Sequence, residues 1–352
     1  MRNIAVLGFG VVGGGIYEAL KPCINPPLSE VNIKYILDLR SFPGHPLADR
    51  VTSDYDRILA DGSVEAVVET MGGVDPAYGF CLAALKAGKH VITSNKAVVD
   101  AHGEELERVA MENGVCYLYE ASVGGGIPVV EPMRSCFYAD TVTRVAGILN
   151  GTTNYILTHM RSEGITLAEA LDVARRLGYA ERDPKADLAG LDTARKLAIL
   201  AGIAFGRYIS YTDIPVIEGI EDVTLEDIQL AEQAGCLIKL FAVAERSGPD
   251  HAHMTVAPFL VGWHSLFHAV HDAQNAVCVT GSIVGDTVFY GSGAGRMPTA
   301  AAVCGDVARA LNGDYKYHIR KKCEPGFILP EDESRFRKAV LPNGKTYRVY
   351  EK

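Results

Sequence analysis

Asp192 and Lys196 stand at the head of a stretch, Leu197-Ala198-Ile199-Leu200-Ala201-Gly202-Ile203-Ala204, that carries no charge. On a helix their i,i+4 spacing puts a carboxylate and an ammonium on one face, and at a protein surface such a pair contributes only a few tenths of a kcal/mol. The apolar run, however, marks the helix as largely buried. A lysine at the start of a buried helix, oriented by carboxylates, can act as a general acid: an aldehyde carbon that takes up a hydride leaves an alkoxide in need of a proton. Gly8-Phe9-Gly10-Val11-Val12-Gly13 is a GxGxxG turn, whose glycines let backbone amides approach a pyrophosphate at a helix N-terminus. The pattern gains weight only from its setting between an apolar strand and a helix. Asp38 falls where an acidic side chain would hold the ribose 2′-hydroxyl of NAD, and Arg40 could pair with the 2′-phosphate of NADP or be a solvated loop arginine. These residues leave the choice between NAD and NADP open.

The elements that must position these residues follow from periodicity. Residues 4–7 form an apolar run ending at Gly8, and 11–20 continue as a helix until Pro22 stops it. Strands are expected at 31–37, 64–69, 90–93 and 115–119, with helices at 76–87 and 102–113, punctuated by Gly72-Gly73, Gly88 and Gly114. This alternation predicts an α/β fold with a Rossmann-type doubly wound parallel sheet over residues 1–131. Past Pro132 the rhythm changes. A helix is expected at 166–177, with Thr166 and Glu169 as its capping box and Gly178 as its stop, and another opens from Gly190 to Lys196. Strands at 238–244, 253–258, 277–279 and 287–290 follow without long helices between them, the pattern of an α+β substrate domain over 132–297. A helix at 299–311, within a segment 298–318, is expected to return to the nucleotide-binding domain, leaving 319–352 as a short, charged, turn-rich tail.

A chain of 352 residues suits two domains rather than one small core. No stretch of ~20 apolar residues offers a membrane span, and the N-terminus runs straight into an apolar strand without an export leader. The eight cysteines lack CxxC or His/Cys ligand spacing, which argues for mostly buried, reduced thiols rather than zinc or a disulfide scaffold. With a net charge of −9 and no basic cluster longer than Arg320-Lys321-Lys322, nothing invites nucleic acid. A cytoplasmic protein acting on a small molecule is expected.

From residue 1 to about 312 the chain resembles the homoserine dehydrogenase family. Beside GFGVVG, the resemblance rests on Thr93-Ser94-Asn95-Lys96, EASVGGGIP from Glu120, GILNGTTNYIL from Gly147, GYAERDPKADLAGLDTARKLAILA from Gly178 and GAGRMPTA from Gly293. It implies an NADP- or NAD-dependent interconversion of L-homoserine and L-aspartate 4-semialdehyde, a step of threonine, methionine and isoleucine biosynthesis, carried out by a homodimer. The substrate would lie between the two domains. By resemblance, Lys196 exchanges the proton of the substrate oxygen, Lys96 sits beside cofactor and reacting centre, and Asp192 belongs to the catalytic network. Gly178, Glu181 and Asp192 would line the amino-acid pocket, with Asp187 at another acidic position; carboxylates suit a substrate ammonium. Thr70, Ser94, Lys96 and Gly293 would join Gly8 to Gly13, Asp38 and Arg40 around the cofactor. The EASVGGGIP segment resembles the family's monovalent-cation loop, in which the Glu120 side chain and the carbonyls of Val123, Gly125 and Ile127 surround sodium. Oxygen-only ligands suit a hard cation; without the resemblance, Gly124-Gly125-Gly126 reads as a chain reversal.

Two departures matter. Many family members carry a C-terminal ACT-type regulatory domain, and Glu333-Ser334-Arg335-Phe336 resembles only the beginning of one, so this is expected to be a form without it. In Leu37-Asp38-Leu39-Arg40 relatives often place a basic residue before the aspartate, so cofactor preference is not inherited. Trp263, His264 and His268 match no catalytic position and are expected in the core or an interface. The competing readings are a related amino-acid dehydrogenase, such as one acting on aspartate, and a nicotinamide sensor without chemistry. A phosphorylating semialdehyde dehydrogenase would need an activated cysteine, and no cysteine here sits in such a motif.

Overall fold

The computed structural model describes residues 1–181, 183–318 and 320–351. The chain divides into two compact units, Met1–Glu131 with Ala294–Lys321, and Pro132–Gly293 with the segment from Lys322 onward.

In the first unit the strands Arg2–Leu7 (β1), Val31–Leu37 (β2), Val51–Thr52 (β3), Val64–Glu69 (β4), His90–Thr93 (β5) and Tyr117–Leu118 (β6) form, among the described residues, one parallel sheet in the order β3-β2-β1-β4-β5-β6. The order reverses between β1 and β4, the switch point at which sheets of this kind bind ligands. Ile4, Ala5, Val6 and Leu7 are wholly buried, as expected of a strand covered on both faces. Helices Val11–Leu20 (α1), Tyr55–Ala60 (α2), Ala77–Lys86 (α3) and Lys96–Glu112 (α4) connect the strands. α4 starts at Lys96, well before the expected residue 102, because the Asn95 side chain accepts from the N–H groups of Ala97 and Val98 and so opens the helix earlier than side-chain propensity suggests. The helix Arg296–Asn312 packs on α1, and its Ala300, Val303, Cys304 and Val307 share a core cluster with Ile4, Val6, Ile16 and Val68. The approach is close enough that a Cβ on Gly15 would lie 2.9 Å from the Arg296 carbonyl oxygen, which explains a glycine whose presence weakens a helix.

The second unit is built on a mixed sheet. Its strands lie in the order Gly285–Ser292, Gln274–Gly281, Val142–Ile148, Cys236–Arg246, Ala252–Gly262, Thr346–Tyr350, Lys338–Val340, with Val216–Ile217 also beside Ala252–Gly262. The central hairpin pairs Cys236 with Gly262 through to Arg246 with Ala252, longer at both ends than the expected strands. Helix Gly151–Glu163 packs on Cys236–Arg246 and Gln274–Gly281, and helix Leu191–Phe205 packs on Val142–Ile148 and Cys236–Arg246. The expected helix at 166–177 is present as Leu167–Leu177, with the Thr166/Glu169 capping box formed and Gly178 left-handed at φ 81°. The segment read as a tail supplies two strands to this sheet, Lys338–Val340 and Thr346–Tyr350: Thr346–Tyr350 runs parallel to Ala252–Gly262, and Tyr350 packs against Phe241 with ring centroids 4.3 Å apart. No helix among the described residues is long and apolar enough to cross a membrane.

Candidate functional site

The glycine turn leaves β1 at Gly8, whose φ of 86° favours glycine. A Cβ on Gly13 would lie 2.2 Å from the Gly8 carbonyl oxygen, so the turn closes only with glycine there. That carbonyl also accepts from Thr70 Oγ1 at 2.7 Å, fixing the loop after β4 against the turn. The Phe9 side chain is buried and its N–H donates to Asp38 Oδ2 at 2.8 Å. α1, starting at Val11, has no side-chain cap, so the N–H groups of its first turn, around Gly10, Val11 and Val12, are suited to a phosphate.

Asp38 also receives a two-pronged bond from Arg40, Nε at 2.9 Å and Nη2 at 2.8 Å. The Arg40 guanidinium, joined by the backbone N–H groups of Arg40 and Phe9 and opposed by burial, holds the Asp38 carboxyl well below the ordinary range. The residues competing as NAD and NADP determinants are thus partners.

Behind the turn lies a residue that periodicity hid. Glu69, the last residue of β4, is fully buried; its carboxylate accepts from Thr93 Oγ1 at 2.5 Å and from the Met71 N–H at 2.7 Å. Asn95, the cap of α4, donates to the Gly73 carbonyl at 2.6 Å. Ser94, whose N–H reaches the Glu69 carbonyl at 3.3 Å, and Lys96 are thereby held at the C-terminal edge of the sheet. A single acidic residue closing an apolar strand looks like a strand end, and its side-chain partners Thr93 and Asn95 are remote in sequence.

Glu120 is buried, and its carboxylate accepts three backbone N–H groups: Val129 at 2.6 Å, Val130 at 2.8 Å and Glu131 at 2.7 Å. Burial pushes its carboxyl upward from the usual value, against the pull of those N–H groups. Between Glu120 and Val129 the chain turns through left-handed Gly124 and Gly125, and the Ile127 N–H bonds to the Gly124 carbonyl at 2.8 Å. A carboxylate has about four acceptor positions, so one is left after three N–H bonds. With the carbonyls of Val123, Gly125 and Ile127 on the same turn, the donor set fits a hard monovalent cation.

In the second unit, Lys196 and Asp192 lie on helix Leu191–Phe205, which is buried on nearly all sides. Lys196 is 9% exposed and Asp192 6%, so the pair is interior and not a surface ion pair. Lys196 Nζ lies 2.7 Å from Asp192 Oδ2 and donates to the Leu149 carbonyl at 2.9 Å. The Asn150 side-chain amide donates to both Asp187 Oδ1, at 2.7 Å, and Asp192 Oδ2, at 2.8 Å. The loop bearing Gly178 and exposed Glu181 is tied to the next helix by Thr152 Oγ1, which donates to the Tyr179 carbonyl at 2.7 Å. Arg182 of that loop lies outside the described residues. At Gly293 a Cβ would fall 2.1 Å from the buried side chain of Asn275, so only glycine fits.

The model of the homoserine dehydrogenase family matches residues 128–308, and that of the homoserine dehydrogenase NAD binding domain matches residues 8–120. The chain belongs to the homoserine dehydrogenase family. Among its relatives, the homoserine dehydrogenase of Synechocystis sp. is 40% identical over 314 residues, covering 87% of this chain and 72% of its own. That of Bacillus subtilis is 39% identical over 317 residues, covering 88% and 72%. The crystal structure of a homoserine dehydrogenase from Thiobacillus denitrificans superimposes with a TM-score of 0.86 at 34% identity, over 97% of this chain and 83% of that one. The activity is accordingly that of a homoserine dehydrogenase, an oxidoreductase working with a nicotinamide dinucleotide.

The structure gathers Lys196, Asp192 and Asp187 around Asn150. Lys96, the glycine turn and the Glu120 loop belong to the other unit. Asn150 sits inside a motif that the sequence singled out, yet nothing in its spacing pointed to Asp187 and Asp192. One expectation needs correcting and another narrowing. Only Cys81, Cys116, Cys278 and Cys304 are buried, the remaining four lying in loops or at element ends. Of the two places expected of Trp263, core or interface, its 68% exposure rules out the core; it lies against His264 and follows the last residue of the strand Ala252–Gly262.

Proposed function

We propose that this chain interconverts L-homoserine and L-aspartate 4-semialdehyde with Lys196 as the group that gives and takes the proton. The observation that carries the assignment is a buried lysine with two of its three N–H groups spent on Asp192 and the Leu149 carbonyl, leaving the third for a substrate oxygen. Bound NAD or NADP supplies or accepts the hydride. Lys196 donates to the oxygen of the aldehyde as it gains charge, and the ammonium of Lys96 stabilises that charge. Asp187, Asp192 and Glu181, with Gly178 opening the loop, receive the substrate ammonium through charge-assisted hydrogen bonds. Gly8 to Gly13, Asp38, Arg40, Thr70, Ser94 and Gly293 line the dinucleotide, and Glu120 with the carbonyls of Val123, Gly125 and Ile127 holds sodium beside it. Exposed Ile283, Val284, Val288 and Tyr290, at an edge of the second sheet, support a homodimer. A cytoplasmic place in threonine, methionine and isoleucine biosynthesis accompanies this reading.

The test follows nicotinamide absorbance with L-homoserine and either NAD+ or NADP+, for the wild type and Lys196→Ala. Turnover by the wild type and a loss of at least about 10²-fold in kcat for the variant, with dinucleotide affinity unchanged, is the expected outcome. Near-normal turnover in the variant removes Lys196 from the role.

A further inference from the structure

We infer that Asn150 is a positioning residue for Lys196, setting its aim through Asp192 and coupling it to Asp187; the inference rests on the reading of Lys196 given above. An uncharged amide is the one side chain that can serve two carboxylates and a helix end at once. Its two N–H groups go one to Asp187 Oδ1 and one to Asp192 Oδ2, while its Oδ1 accepts the Thr153 N–H at 2.8 Å and Thr153 Oγ1 at 3.0 Å. The partners decide which end of the amide is which, because carboxylates can only accept and a backbone N–H can only donate. Asn150 is 4% exposed, so water does not stand in for it. The residue before it, Leu149, receives Lys196 Nζ through its carbonyl. Two consecutive residues therefore grip both members of the Asp192–Lys196 pair, one through the carboxylate and one through the ammonium. Hydrogen bonds to the charged form keep a carboxylate ionised. Held in this way, Asp192 directs Lys196, and Asp187 is fixed beside the same pair.

Two substitutions separate this role from helix capping, because serine and aspartate both cap helices well. Asn150→Ser keeps an acceptor for Thr153 and replaces the two amide N–H donors by one hydroxyl, which cannot serve both carboxylates; Asn150→Asp keeps the acceptor and sets a third carboxylate against the other two. In homoserine oxidation, which needs Lys196 to take a proton, the added negative charge holds that proton more tightly. The acid limb of the kcat–pH profile of Asn150→Asp therefore moves to higher pH. Asn150→Ser lowers kcat by roughly 10- to 100-fold, with the KM for the dinucleotide within twofold of the wild type. If both variants keep the wild-type kcat and pH profile, and lose at most thermal stability, Asn150 is only a cap and the inference fails. Lys196→Ala assayed alongside distinguishes the cases. An inactive Lys196→Ala beside unaffected Asn150 variants overturns the positioning role alone, whereas an active Lys196→Ala overturns the reading of Lys196 and the inference with it.

Discussion

Asp38 answers to two neighbours at once. Its carboxylate steadies the glycine turn through the Phe9 N–H and holds Arg40 through two further bonds. A 2′-phosphate would compete with Asp38 for the guanidinium, whereas a 2′-hydroxyl needs only the carboxylate. Arg40→Ala should therefore raise the KM for NADP by about tenfold while changing that for NAD by less than twofold; equal effects on both would place Arg40 outside the cofactor's reach. That Asp38 and Arg40 fall where the ribose end of a dinucleotide is expected was legible from their distance past the glycine turn. That they bond to each other was not, since neighbours i and i+2 in an irregular segment can point anywhere. Glu69 and Asn150 make the same point more strongly, each joining groups 20 or more residues distant in sequence.

Elements in the second unit carry charges to depths that their patterns conceal. Lys239 lies among apolar residues, Leu237 to Ala244, of the strand Cys236–Arg246 and is 2% exposed, its Nζ donating to Asn154 Oδ1 at 2.9 Å and the Val270 carbonyl at 2.7 Å. Burial lowers it to about 7, with Arg161 pushing the same way and Asp272 opposing. Between that value and the ordinary lysine value of about 10.4, the folded chain binds fewer protons than the unfolded one. Stability should then rise with pH from about 7 upward through that window. Lys239→Met should flatten the rise: calorimetric Tm increases between pH 7 and 9 in the wild type, relative to the variant, and an equal slope in both would contradict the burial argument. The expected strand 238–244 already runs through Lys239; the fold lengthens it to Cys236–Arg246 because its ends pair with Gly262 and Ala252 across the hairpin.

Over the whole molecule, the segment after residue 319 changes most between sequence and structure. Fully buried Asp227 accepts from Lys345 Nζ and Asn343 Nδ2, both at 2.8 Å, and so pins the final strand pair to the rest of its unit. Burial alone would raise the Asp227 carboxyl; the bonds from Lys345, Thr224 and Asn343 outweigh it and bring it to about 2. A depressed carboxyl contributes stability that is fully present above the unfolded value of about 3.9 and is lost as pH falls through about 2. Asp227→Asn should cost about 2 kcal/mol near neutral pH, read as a lower Tm, with the difference from wild type closing as the pH is brought down towards 2. A constant difference across that range would mean that shape, and not charge, accounts for the loss.

Repeating local patterns were enough to give the alternation of strand and helix, the glycine turn, the capped helix Leu167–Leu177 and the shared face of Asp192 and Lys196. Each depends on a period of two or 3.6 residues, or on a backbone angle only glycine tolerates, and each is therefore written within a few residues. Tertiary structure alone decided that Asn150 reaches Asp187 and Asp192, that Glu69 organises the loops after β4 and β5, and that Thr346–Tyr350 completes the second sheet. Those are bonds between groups far apart along the chain, and no spacing encodes a partner whose distance is set only when the core closes.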